Sequence, residues 1–258
     1  KMKSVIEHIQ ADDSLELQII VAGGALLARY GNVLQSVEKL APVDRKVSYL
    51  IEGENLVAMA KSAGLVALEF STAFSELDPD VVIIIADRYE CLPMAMAANY
   101  RNIPIAHVEG GEVTGSVDES IRHAITKLSH LHFPATQEAA ERIERMGETQ
   151  DSVYAVGATS LDVIKALDLT NLSPVVKHQE SVGVGPVLDL KEPYLVVIQH
   201  PVTTEYGDNL KHIEQTIQAV EESGLNAVWI WPNMDAGSDG ISKGIRMFRE
   251  KAAKERVH

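Results

Sequence analysis

The chain has 258 residues, 46% of them hydrophobic, which is enough for one large or two ordinary domains with cores of their own. Its net charge is −14, and nucleic acid and anionic membrane are excluded as partners because both require a basic footprint. The single cysteine, Cys91, excludes an intramolecular disulfide and fits a reducing, cytoplasmic setting. The sequence shows no signal-peptide pattern at its start and no run of about 18 apolar residues that predicts a membrane-spanning helix.

In chain order, residues 1–10 are predicted helical, with Met2, Val5, Ile6 and Ile9 on one face. Residues 15–21 are predicted as a strand, 32–40 as an amphipathic helix and 46–51 as a short strand. Residues 54–77 are alanine-rich and helical, with Gly64 as a candidate interruption. The run 81–86 is continuously apolar, as a parallel strand buried on both faces should be. A helix follows over 91–101, with Pro93 in its first turn, where proline is tolerated. Next come a strand at 103–109, a helix from Val117, a strand near 130–133, a helix at 137–147 capped by Thr136, a strand at 152–156 and a helix near 159–167. This regular alternation predicts a doubly wound α/β domain over 1–168.

Residues 168–192 lack periodicity and contain Pro174, Gly183, Gly185 and Pro186, which predicts a crossing between domains. A second α/β pattern occupies 169–258, with strands at 194–199 and 226–231 and helices at 208–222 and 240–255. Two parallel strands and two helices do not close a core, so the sequence is expected to be a piece of a larger protein or to cover only its ordered residues.

The organising stretch is His107-Val108-Glu109-Gly110-Gly111-Glu112-Val113-Thr114-Gly115-Ser116-Val117-Asp118-Glu119-Ser120-Ile121-Arg122-His123. His107 and Glu109 share a strand face by the period-two rule. The two glycines after Glu109 are expected to let a ligand approach the backbone. Ser116 and Glu119 have capping-box spacing. Ligands of open parallel sheets bind outside the carboxyl ends of the strands, where Asp87, Glu109, His200 and Asn233 fall. Three acids around one crevice, Asp87, Glu109 and Asp118, suit proton transfer. Arg88, Arg122, His123 and Lys127 bring cations to the same loops, as a pyrophosphate requires.

Each residue has a structural alternative at this point. Asp87 is equally placed to cap the next helix together with Glu90. Asp118 is placed to complement the helix dipole and to pair with Arg122 on the surface. His200 precedes Pro201 and suits a turn. Trp231 and Tyr194 are expected to pack, and Cys91 to be a small buried side chain.

Asp87-Arg88-Tyr89-Glu90, His107 to Glu112 and Gly115 to His130 closely resemble the hydrolysing UDP-N-acetylglucosamine 2-epimerases, as do His200-Pro201-Val202-Thr203-Thr204-Glu205 and Pro232-Asn233-Met234-Asp235-Ala236-Gly237. The non-hydrolysing relatives carry a different loop, with alanine after the glutamate. The resemblance implies two Rossmann-like domains in a GT-B-like arrangement, with a cleft between them and the second domain incomplete in this chain. It implies catalytic acids at Asp87, Glu109 and Asp118, a histidine from the second domain at His200, and Arg88, Arg122 and Asn233 near the nucleotide, with no metal and no cofactor. The family's first strand and its nucleotide-touching loop are expected ahead of residue 1, and the rest of the second domain beyond His258.

The implied activity is conversion of UDP-N-acetylglucosamine and water to N-acetylmannosamine and UDP for sialic acid synthesis, in the cytoplasm, by a homodimer or higher homo-oligomer. The reaction proceeds by elimination to a 2-acetamidoglucal and then hydration. Alternatives are a related hydrolysing 2-epimerase acting on a UDP- or GDP-linked diacetamido-trideoxyhexose, a glycosyltransferase of the same build, and a non-catalytic sugar-nucleotide binding module. Three clustered acids favour proton abstraction over group transfer.

Overall fold

A computed structural model describes residues 1–31, 33–53, 55–251 and 258, without the side chains of Arg29 and Lys251. The chain divides into two compact units, Lys1–Glu52 with Val57–Leu167, and Gly53–Leu56 with Asp168–His258.

The first unit runs α1 (Lys3–Gln10), β1 (Ile20–Ala22), α2 (Val33–Glu38), β2 (Arg45–Val47), α3 (Leu56–Leu77), β3 (Val82–Ile85), α4 (Cys91–Tyr100), β4 (Ile105–Val108), α5 (Val117–Leu128), β5 (Leu131–Phe133), α6 (Gln137–Arg145) and α7 (Ser160–Lys165). All strand pairs are parallel. They form one sheet of order β1-β2 and another of order β3-β4-β5, with Ile84 opposite His107 and His107 opposite His132. The core gathers Val66, Phe70, Ala73 and Phe74 of α3 with Ile84, Ile105, Ile125 and the small residues Ala95 and Ala98 of α4. Ile105 and Ile125 have no exposed surface, so each contributes about 2–3 kcal/mol of apolar burial. The alanines let α4 lie close to the sheet, which sets the positions of the loops after β3 and β4.

Several elements differ from their sequence-based expectation. α3 runs through Gly64 without a break, because its alanine- and leucine-rich neighbours and its buried face outweigh the ~1 kcal/mol that one exposed glycine costs a helix. By length and hydropathy α3 is also long and apolar enough to cross a membrane. It nevertheless carries Lys61 and Glu69, and its buried stripe forms the core of this unit. β3 is buried on one face only, since Val81 and Ile83 are exposed. The expected strand at 152–156 is a short 3-10 turn, Gln150–Ser152, followed by a single bridge from Val153 to His132. Its backbone still donates from Tyr154 to His132 O and from Val156 to Pro134 O, so it follows the sheet without forming a regular ladder.

The second unit contains α8 (Ser173–Ser181), β6 (Tyr194–Ile198), α9 (Asn209–Ser223), β7 (Asn226–Ile230) and α10 (Ser238–Lys251). α8 falls where no element is expected. Pro174 sits in its first turn, where proline starts a helix instead of breaking one. β6 and β7 pair in parallel from Tyr194↔Asn226 to Ile198↔Ile230. Ile213, Ile241 and Ile245 form the core between α9 and α10. A Cβ at Gly244 would lie 2.4 Å from Ile213 Cγ2, so glycine is what permits this helix contact. Tyr194 is half-buried, but Trp231 is exposed, with Arg246 stacked 5.1 Å from its ring centroid. The starts of the helices expected at 32 and 54, and residues 252–255 of the helix expected at 240–255, lie outside the described residues.

Candidate active site

β3 and β4 end in the same unusual way. Ala86 has φ +61° and Glu109 φ +59°, a left-handed conformation that costs a non-glycine residue about 1 kcal/mol or more. The parallel ladder is nevertheless satisfied, since Ala86 N donates to Val108 O at 2.8 Å and Glu109 N to Phe133 O at 2.9 Å. The two turns leave the sheet side by side, carrying Asp87 and Glu109 out at the carboxyl ends of adjacent strands.

The partners of Asp87 decide between its alternatives. It does not cap α4, whose N-cap residue is Glu90 and has no side-chain cap bond. Asp87 accepts instead from Nη2 of Arg122, a buried residue whose Nη1 donates to Glu112 O at 2.6 Å. Arg122 thus ties Asp87 to the glycine loop and has no ion pair with Asp118. Its guanidinium is engaged by Asp87 and the glycine loop.

Glu109 is largely buried and accepts from Lys1 Nζ at 2.7 Å. Lys1 is more than half exposed, so this pair contributes little and leaves the carboxylate open to exchange. Asp118 is half-buried in the first turn of α5 and accepts from Ser116 Oγ at 3.2 Å.

The capping box is only half realised. α5 does begin at Val117, but the Ser116 side chain makes no cap bond. Glu119 reaches back past Ser116 to accept from Thr114 N and Gly115 N, both at 2.8 Å, and these donors hold its carboxyl below the usual range. Glu119 therefore shapes the loop as well as the helix end.

The diglycine is required by contacts within the protein. A Cβ at Gly110 would lie 2.8 Å from His107 Nδ1, and one at Gly111, where φ is +81°, would lie 2.5 Å from Ala139 O. Arg142 donates to Gly111 O, holding the loop against α6. His107 itself is fully buried; burial pushes its pKa down to about 4 against a weaker upward pull from its bond to Ala86 O. The ring is neutral at physiological pH and does not reach solvent.

Arg88 donates from Nε to Glu90 Oε1 at 2.7 Å, with the side chain as a whole partly exposed. Buried Glu90 also bonds buried Tyr49, whose phenol is pushed up by burial first and by the Glu90 charge second. Tyr49 lies against Gly23, where any Cβ would overlap its hydroxyl. Sequence reasoning missed Glu90 and Tyr49 as supports of Arg88; the Arg-x-Glu spacing was the one available signal. Cys91 is mostly buried and its thiol is pushed up to about 12 by burial.

In the second unit, His200 and Asn233 are brought together by the β6–β7 pairing. Asn233 N donates to His200 Nδ1 at 3.1 Å, so in neutral His200 the proton is on Nε2. The Asn233 side chain accepts from Asp235 N and Ser238 Oγ. Buried Asn209 accepts from Val202 N at 3.1 Å and donates to Tyr206 O at 2.8 Å, which fixes the loop after β6. Gly237, at φ +98°, packs on Asn209, where a Cβ would lie 2.2 Å from Nδ2.

Parallel α/β units carry their ligand-binding residues at the carboxyl ends of the strands, where Asp87, Glu109, His200 and Asn233 lie. Residues 7–257 match the family model described as UDP-N-acetylglucosamine 2-epimerase, and the chain belongs to that family. It is 33% identical over 254 residues to a UDP-N,N'-diacetylbacillosamine 2-epimerase (hydrolyzing) from Legionella pneumophila, covering 96% of this chain and 64% of that protein. It is 34% identical over 253 residues to a UDP-N-acetylglucosamine 2-epimerase from Neisseria meningitidis, covering 96% and 63%. The chain thus spans less than two thirds of the length of these relatives. Its fold matches the crystal structure of a UDP-GlcNAc 2-epimerase from Neisseria meningitidis bound to UDP-GlcNAc, with TM-score 0.76, 18% identity and coverage of 100% of this chain and 68% of the other. The Methanocaldococcus jannaschii UDP-GlcNAc 2-epimerase in complex with UDP-GlcNAc and UDP also gives TM-score 0.76, at 16% identity and coverage of 100% and 69%. The fold class is accordingly α/β of the GT-B-like type found in these enzymes.

Proposed function

We propose that the protein is a hydrolysing 2-epimerase of a UDP-linked 2-acetamido sugar, with UDP-N-acetylglucosamine as the first candidate and N-acetylmannosamine and UDP as products. The observation that carries this is the pair of left-handed strand ends placing Asp87 and Glu109 side by side, with Asp118 on the next helix. In the elimination, a carboxylate takes the C2 proton, the C2–H electron pair becomes the C1=C2 bond, and UDP leaves from C1 with its bonding pair. In the hydration, a protonated acid delivers a proton to C2 from the opposite face, and water bonds to C1 as it gives its own proton to a carboxylate, so that C1 ends as C1–OH.

Two acid/base groups on different sides are required because the proton leaves and returns on opposite faces. Glu109 suits one role because its Lys1 partner is exposed and exchangeable. Asp87, oriented by Arg122, and Asp118 supply the other. Arg88, His200 and Asn233 are assigned to the departing diphosphate and nucleotide, where hydrogen-bond donors stabilise developing charge.

A second substrate has a specific observation in its favour: the Legionella relative is named for UDP-N,N'-diacetylbacillosamine at nearly the same identity as the Neisseria one. Assay of both UDP-sugars, with identification of the released sugar, tests the reading. Free 2-epimerised sugar with stoichiometric UDP supports it. A glycosylated acceptor, or binding without turnover, overturns it. We further assign the protein to the cytoplasm, on its unpaired Cys91 and the charged residues within α3, and to a homodimer or higher homo-oligomer. Sedimentation at micromolar concentration as a 28.1 kDa species overturns the oligomer.

A further inference from the structure

We propose that His107 is a positioning residue that aims Asp87, acting through the Ala86 carbonyl, with Thr126 bonded to its other ring nitrogen. The proposal rests on the reading that Asp87 belongs to the active site.

The imidazole has no exposed surface, so it does not touch a substrate. Its Nε2 lies 2.9 Å from Ala86 O, and a carbonyl only accepts, so Nε2 carries the proton. Nδ1, 3.1 Å from Thr126 Oγ1, is then a lone pair, and the Thr126 hydroxyl donates to it. Thr126 is equally buried. Of the two neutral tautomers only Nε2–H satisfies both contacts, and complete burial disfavours the cation.

What the ring holds is the peptide joining Ala86 to Asp87. Ala86 is in the left-handed conformation, and nothing in its methyl side chain favours that state. The hydrogen bond to its carbonyl fixes the orientation of that peptide plane, and hence the direction in which Asp87 leaves the sheet. Arg122 holds the other end of the same residue, at its carboxylate. The ring also bears on the neighbouring turn, since Gly110, directly after Glu109, packs against Nδ1 so closely that no Cβ fits. His107 is therefore wedged beneath both acid-bearing strand ends. His132, in register on β5, and Asp87 and Arg122 are the charged or titratable groups around it. A displacement of about 1 Å at a reacting group costs on the order of 100-fold in rate, so such a support is visible in kinetics.

Three variants of the full chain test this. His107→Gln keeps a donor near the Nε2 position, His107→Asn reaches only toward Thr126, and Thr126→Val removes the hydrogen bond to Nδ1 while keeping shape. Nitrogen-15 histidine spectra of the unaltered protein should show His107 as neutral Nε2–H without titration between pH 5.5 and 8, a range set about the ordinary histidine value. Thr126→Val should keep the Nε2–H form, held by the Ala86 carbonyl, and shift only the Nδ1 resonance, which loses its hydrogen bond.

For turnover, His107→Gln should stay within about tenfold of the unaltered protein, and His107→Asn should lose about 100-fold in kcat with KM held. Crystal structures should show the Ala86–Asp87 peptide in place in the glutamine variant and rotated in the asparagine variant. An Nδ1–H tautomer, titration near the ordinary histidine value, or equal kcat and equal Ala86–Asp87 geometry in the two variants would overturn the proposal. If the unaltered protein releases no sugar, the proposed activity fails, while the spectra and the peptide geometry still decide the role of His107. If His107→Asn does not fold, Thr126→Val decides.

Discussion

The ends of β3 and β4 and the ends of β6 and β7 occupy equivalent places in parallel sheets but are built from different chemistry. The first pair carries charge: Asp87 on buried Arg122, Glu109 against Lys1, and two left-handed residues held by the sheet ladder and a buried histidine. The second pair is held mainly by amide and hydroxyl groups, with Asn209, Asn233 and Ser238 bonding loop backbone around an exposed His200. Its charged contacts are Asn233 to Asp235 and the Glu205–His212 pair. Buried charge and backbone strain are costly to maintain, whereas amide and hydroxyl contacts suffice where a loop need only hold its shape. On the proposed function, the first unit would carry the proton transfer and the second the recognition.

The largest effect should come from Glu109→Gln, which keeps size and hydrogen bonding but removes the base. Turnover should fall by about two to four orders of magnitude, with UDP affinity and melting temperature retained. Near-normal turnover would remove Glu109 from the mechanism, and unfolding would make its role structural. Next is Arg122→Met, which leaves the Asp87 carboxylate without its buried partner. Breaking such a pair costs about 3 kcal/mol, read as a lower denaturation midpoint at pH 7 together with lost turnover. An unchanged midpoint would mean that Asp87 finds water instead.

Acid should weaken the first unit through its buried histidines. The folded pKa of His107 is depressed to about 4, below the ordinary histidine value, so the unfolded chain binds the extra proton first. The stability is therefore present above the unfolded pKa and lost as pH falls toward the folded one. From pH 7 to pH 5 the loss should be about 2 kcal/mol, with His132, also depressed by burial, adding in the same direction. His107→Gln should flatten this dependence, and an equal slope in the variant would refute the assignment. The smallest effect belongs to the second unit. Gly237→Ala should cost about 1–2 kcal/mol in thermal stability, because φ is +98° and the methyl meets Asn209. It should leave turnover by the acids to be judged separately at saturating substrate.

By itself the sequence determined the order and type of nearly all the elements. Unbroken or periodic apolar runs such as 81–86 and 117–128 have few ways to bury themselves, so their pattern predicts local structure directly. It also located the acids, because loops after parallel strands are where polar residues collect. The partner of Asp87 was not legible: Arg122 lies 35 residues away, and no spacing rule relates a strand end to a helix three elements later. Nor were the reasons for Gly110 and Gly111, which lie in contacts with His107 and α6 that exist only once β4, α5 and α6 have packed. His107 shows the same limit most sharply. In sequence it is a histidine on the face of an acid, available as a base; in the folded chain, burial and two opposed hydrogen bonds leave it neutral and supporting. Local pattern fixes what a segment becomes, but protonation state, hydrogen-bond partners and backbone strain depend on which atoms arrive from elsewhere, and only the tertiary structure decides that.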